Sequence, residues 1–60
     1  MHLNRRIELY LRRTRIAPTR FGRDAVNDPR LVFDMRNGRE LRETTEARII
    51  AWLDSRERKA

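Results

Sequence analysis

Two prolines eleven residues apart, Pro18 and Pro29, most constrain what this chain can become. Proline has no backbone N–H and a fixed φ, so it suits the first turn of a helix and is excluded from helix interiors and central strands. The stretch between them therefore holds one short element and a turn. Its apolar residues Phe21 and Ala25 stand four apart, which is helical spacing, and a helix over 18–25 follows. Gly22 lies beside that inner face. A glycine inside a helix costs about 0.5 to 1 kcal/mol relative to alanine, and close approach of another backbone is the usual reason to keep one. Val26-Asn27-Asp28-Pro29 then reads as a turn. Asn27 tolerates a left-handed conformation, Asp28 can cap a helix, and Pro29 can occupy that helix's first position. The next helix is predicted over 29–37, stopped by Gly38.

The flanks read the same way. Leu3, Ile7, Tyr10 and Leu11 fall at i, i+4, i+7 and i+8, one face of an amphipathic helix predicted over 3–13, with Leu9 well off that face. After a polar loop over 39–43, Thr44 is the expected cap of a fourth helix ending near Ser55. Ile49, Ile50 and Leu53 are expected to face inward there, with Trp52 at the border. Residues 56–60 read as a charged, frayed tail. No repeat and no strand-like alternation competes, so the fold class is all-α, a four-helix domain over 1–55.

Charge narrows the partners. Fifteen basic residues against nine acidic ones give +6, and residues 1–30 carry most of it, with eight Arg against three acids; residues 31–60 are nearly balanced, seven against six. Such a chain is drawn to polyanions: nucleic acid, an anionic surface or an acidic protein. Fourteen of the fifteen are Arg, whose planar fork pairs two phosphate oxygens at once, although codon bias in a GC-rich genome would also favour Arg over Lys. With no cysteine and a single histidine, His2, the chain offers no disulfide framework, no metal site and no nucleophile with a base beside it. No glycine-rich phosphate loop is present, so neither catalysis, a cofactor nor a small-molecule ligand is expected. No apolar run is long enough to span a bilayer or form a signal peptide, which predicts a soluble, cytoplasmic protein. A single core of this size contributes only about 3 to 5 kcal/mol, so a second copy or a bound partner is expected to add to it.

The helix over 29–37 divides into two faces at about 100° per residue. Leu31, Val32 and Met35 share one side; Arg30, Phe33, Asp34 and Asn37 share the other, an aromatic ring among side chains able to bond base edges. The stretch PTRFGRDAVNDPRLVFDMRNG resembles the helix-turn-helix of the phage lambda repressor and Cro family. Gly22 stands where that family usually has Ala, Phe21, Ala25, Val32 and Met35 at its buried positions, Asp28 at its helix cap and Gly38 at its closing glycine. Val26 departs from the family's usual turn glycine, and Asn27, one residue on, is the candidate to take positive φ instead.

The resemblance covers about residues 3–54 and implies a lambda-repressor-like domain whose third helix enters the major groove of double-stranded DNA. Arg30 is then the candidate for guanine O6 and N7, Asn37 for adenine, Asp34 for cytosine N4 or for orienting Arg30, and Phe33 for a thymine methyl. An intrahelical Arg30–Asp34 pair and core-edge packing of Phe33 are the competing structural roles. Thr19, Arg20, Arg23, Arg36 and Arg39 are the candidates for phosphates, with Arg15 and Arg42 weaker ones. The implied protein is a transcriptional regulator, a repressor acting as a homodimer on an inverted repeat, with Leu9 and Trp52 as candidate dimer contacts. Proteins this compact resemble the small regulators of phages and mobile elements, including those that control anti-defence operons. Two other classes fit the charge: an RNA-binding helical protein, and a protein-interaction module of antitoxin or inhibitor type that docks through the fourth helix and Trp52.

Overall fold

Ten apolar side chains, Ile7, Tyr10, Leu11, Phe21, Ala25, Leu31, Val32, Met35, Ile49 and Leu53, meet in one core to which every helix contributes. They are brought together in the computed structural model, which describes residues 2–57. Its elements are all α-helical: α1 (Leu3–Thr14), α2 (Pro18–Val26), α3 (Leu31–Arg36) and α4 (Glu43–Glu57). None of them is long and apolar enough to cross a membrane.

Each helix begins and ends where backbone chemistry directs. α1 stops at Arg15, which takes a left-handed conformation (φ 59°) and donates its N–H to the Leu11 carbonyl at 2.8 Å. α2 starts on Pro18, whose missing N–H would have had no partner there. It ends on Asn27, left-handed at φ 58°, with its N–H on the Arg23 carbonyl at 2.9 Å. The β-branched Val26 thus keeps its helical backbone and the asparagine absorbs the positive φ, as the sequence predicts.

α3 is shorter than its expected 29–37. Asp28 Oδ1 accepts the Arg30 N–H at 3.0 Å and the Asp28 carbonyl accepts the Leu31 N–H at 3.1 Å, so Pro29 and Arg30 form a tight turn ahead of the helix. At the other end Gly38, at φ 94°, bonds back to the Met35 carbonyl and Arg39 N–H to that of Asp34. This is a Schellman closure with glycine in the left-handed position, and it leaves Asn37 just outside α3.

α4 differs most from expectation. Thr44 is not its cap: the helix begins at Glu43, with the Arg42 carbonyl accepting the Glu46 N–H at 2.9 Å. Glu43 and Glu46 in the first turn suit the positive end of the helix dipole. The helix also continues past Ser55 to Glu57, so the boundary expected at residue 55 falls within it, and only 58–60 of the expected tail lie outside the described residues. Ile50, expected inward, is 37% exposed. The larger Trp52 takes its place at the core edge, where its ring meets Tyr10 and Phe21 edge-on at 5.6 and 5.2 Å between centroids.

Gly22 explains how α2 and α3 can be so close. A Cβ built on it would overlap the Asp28 carbonyl oxygen and come within 3.1 Å of Leu31 Cβ. The turn backbone occupies the space a side chain would need, and the Asp28 N–H bonds the Gly22 carbonyl at 3.0 Å.

Candidate nucleic-acid interface

With Leu31, Val32 and Met35 turned into the core, α3 and its flanks present Arg30, Phe33 and Asn37 to solvent, and Asp34 half-buried between them. The 3.6-residue period does this: positions 30, 33, 34 and 37 lie on the side opposite the buried set. Arg30 is exposed and its guanidinium makes no ion pair among the described residues; its backbone is held at both ends, the N–H by Asp28 and the carbonyl by the Asp34 N–H at 2.9 Å. Phe33 is 42% exposed, with the Arg36 guanidinium 5.7 Å from its ring centroid.

The Arg30–Asp34 pair, the structural alternative to a base contact by Asp34, does not form. Asp34 Oδ2 instead accepts from Arg39 Nη1 at 3.1 Å, and the same nitrogen donates to Asp28 Oδ2 at 3.0 Å. One guanidinium thus ties the carboxylate that opens α3 to the carboxylate on its outer face. The Arg39 hydrogen bond, reinforced by the Arg30 backbone N–H, holds the Asp28 carboxyl below its ordinary value, and the two carboxylates raise Arg39 in turn.

The remaining phosphate candidates separate into free and engaged groups. Thr19, Arg20 and Arg23 are exposed on α2, and Arg20 has only a loose 3.5 Å approach to Asp24 one turn on. Arg15 and Arg42 are exposed without ion pairs among the described residues. Arg36 is not free: its Nε and Nη2 grip both oxygens of Glu8 on α1 at 2.7 and 2.9 Å. That hydrogen bond lowers the Glu8 carboxyl and raises Arg36. Arg36 therefore ties α3 to α1, and Arg39 ties Asp28 to Asp34, so both of these phosphate candidates are already paired with carboxylates.

A second arginine cluster was not anticipated from the sequence. Arg6 of α1 reaches Asp54 and Glu57 of α4, and Arg13 reaches the other oxygen of Glu57 at 2.9 Å. The Arg6 hydrogen bond, then the charges and bond of Arg6 and Arg13, keep Glu57 below its ordinary value. A signal was present: Arg6 and Arg13 are seven apart and border Tyr10, while Asp54 and Glu57 are three apart and border Leu53, so each pair flanks a core position. Of the two expected dimer residues, Trp52 is taken up by Tyr10, Phe21 and an Arg56 guanidinium 4.8 Å from its ring, whereas Leu9 is 40% exposed. Among the described residues no cluster of three or more His, Asp or Glu is placed to hold a metal ion.

No protein-family model, curated protein or solved structure matches this chain.

Proposed function

We propose that this chain is a sequence-specific double-stranded DNA-binding regulator with a lambda-repressor-like helix-turn-helix, α2 and α3 forming the motif. One observation carries the reading: an exposed Arg30, Phe33 and Asn37 on the outer face of a helix whose approach to α2 is fixed by the Gly22–Asp28 backbone contact. Such a face, presented at a helix-turn-helix corner, suits the major groove. Arg30 reads guanine, Asn37 adenine, and Phe33 a thymine methyl. Arg20 and Arg23, with Thr19, hold phosphates on either side and set the register.

The protein acts as a repressor by occupying an operator as a homodimer. Half-sites about 34 Å apart then follow from the two-fold axis. Recognition of single-stranded RNA calls for several exposed rings on which bases stack, and Phe33 is the only aromatic among the described residues more than a third exposed. Selection from a random duplex DNA library tests the proposal. Enrichment of a palindrome with that spacing supports it; a pool that stays unenriched at low salt rejects it in favour of a protein-interaction module.

A further inference from the structure

Arg39 stands outside α3 yet touches the carboxylates of both Asp28 and Asp34. Its Nη1 lies 3.0 Å from Asp28 Oδ2 and 3.1 Å from Asp34 Oδ2, and its backbone N–H closes α3 on the Asp34 carbonyl at 2.9 Å. Asp34 is four residues beyond Arg30, the spacing at which an acid and a base on one helix face pair with each other. Without Arg39, Asp34 has Arg30 as its natural partner. With Arg39 present, one oxygen of each carboxylate is bonded to its guanidinium in the closing loop, and Arg30 makes no ion pair among the described residues.

We propose that Arg39 is a positioning residue: by bridging Asp28 and Asp34 it withholds Asp34 from Arg30 and leaves the Arg30 guanidinium free to read a base. This rests on the reading of α3 as the DNA-facing helix, and it gives Arg39 a role distinct from a phosphate contact. It also makes Asp34 a carboxylate whose job is to be held, rather than one that reads cytosine. Because a single nitrogen makes both contacts, an ammonium can replace it, so Arg39→Lys preserves the effect while Arg39→Gln loses it.

The first arm needs no DNA. In the free protein, the Arg30 Nε–Hε NMR resonance moves on Arg39→Gln as Asp34 swings to it, returns when Asp34→Asn is added, and stays in place in Arg39→Lys. An Arg30 resonance that ignores Arg39→Gln, in a chain whose amide spectrum remains folded, overturns the proposal.

The second arm measures binding to the duplex enriched with the wild-type chain. A surface pair at this spacing corresponds to about a twofold change in an equilibrium, so Arg39→Gln is expected to lose about two- to threefold, mainly at the base pair that Arg30→Ala affects. Adding Asp34→Asn restores it. Adding Glu40→Gln, which removes the same charge from an exposed neighbour without an ion pair among the described residues, does not. If Arg39 instead contacts phosphate, Arg39→Gln weakens all sequences alike, flattens the salt dependence by about one unit, and Asp34→Asn gives no rescue; the proposal fails and the regulator reading stands. If Arg30→Ala leaves every sequence preference unchanged, Arg30 reads no base and the proposal fails, while sequence-specific binding by the chain stands.

Discussion

The α1–α4 seam and the α2–α3 corner both carry arginines at their rims, and they leave different shares of them free. Along the seam Arg6 and Arg13 are spent on Asp54 and Glu57, and the Tyr10 and Trp52 rings meet edge-on, with Phe21 of α2 against both. At the corner the close fit comes from backbone, with Gly22 against the Asp28 carbonyl; Arg39 is spent on Asp28 and Asp34, while Arg20, Arg23 and Arg30 remain exposed. Net charge of +6 is thus a poor guide to where a polyanion would sit. Cations already matched by carboxylates release few counterions on binding, so the corner outweighs the seam in any electrostatic contact with phosphate.

The largest expected effect removes the distinction altogether. Phe21 is fully buried and touches both regions, through Tyr10 and Trp52 on one side and α2 on the other. Phe21→Ala is expected to cost about 3 to 5 kcal/mol, comparable to what a core this small contributes, and to unfold seam and corner together in a single urea transition. Gly22→Ala strikes the corner alone. Its new Cβ collides with backbone that cannot swing away, so a loss of about 1 to 3 kcal/mol is expected, with DNA binding weakened further than the folded fraction accounts for.

Smaller effects sharpen the contrast. Asn27→Ala places an ordinary side chain at φ 58° and is expected to cost about 1 kcal/mol, whereas Asn27→Gly is expected to be neutral or stabilising in the same titration. Glu57→Gln acts only on the seam. The pair is partly exposed and screened by solvent, so a few tenths to about 1 kcal/mol is expected, with DNA affinity unchanged. Its pH dependence has a definite sign. Glu57, Glu8 and Asp28 are all held below their ordinary values of 4.5, 4.5 and 3.8, so their contribution is present above those values and is lost as pH falls through the lower folded ones. Stability should therefore be flat from about pH 5 upward and decline on the acid side, less steeply in Glu57→Gln than in the wild type.

Much of the frame is legible in the residues. Pro18 opens α2, Gly22 announces a close backbone, Asn27 takes the left-handed turn in place of Val26, and Gly38 closes α3. These are local rules, fixed by one or two residues' own backbone chemistry. The arginine partners are not local: Arg36 and Glu8 are 28 residues apart, and Arg6 and Glu57 are 51 apart. Which carboxylate a long side chain meets depends on how whole helices pack, and periodicity does not encode it. Ile50 and Trp52 show the same limit within α4, since both border the inward stripe of Ile49 and Leu53, and only the aromatic pocket formed by Tyr10 and Phe21 decides which turns in. The outward face of Arg30, Phe33 and Asn37 follows from period alone, but the withdrawal of Asp34 by Arg39 required the closing loop.

The central claim is that Arg30, at the corner, reads a base. The direct measurement is to determine binding of wild type and Arg30→Ala to the selected duplex and to each single base-pair variant of it. We expect Arg30→Ala to lose about 1 to 3 kcal/mol and to become indifferent to identity at one base pair per half-site, while its unfolding transition stays where the wild type's is. An Arg30→Ala protein that keeps the full wild-type preference at every base pair would contradict the account.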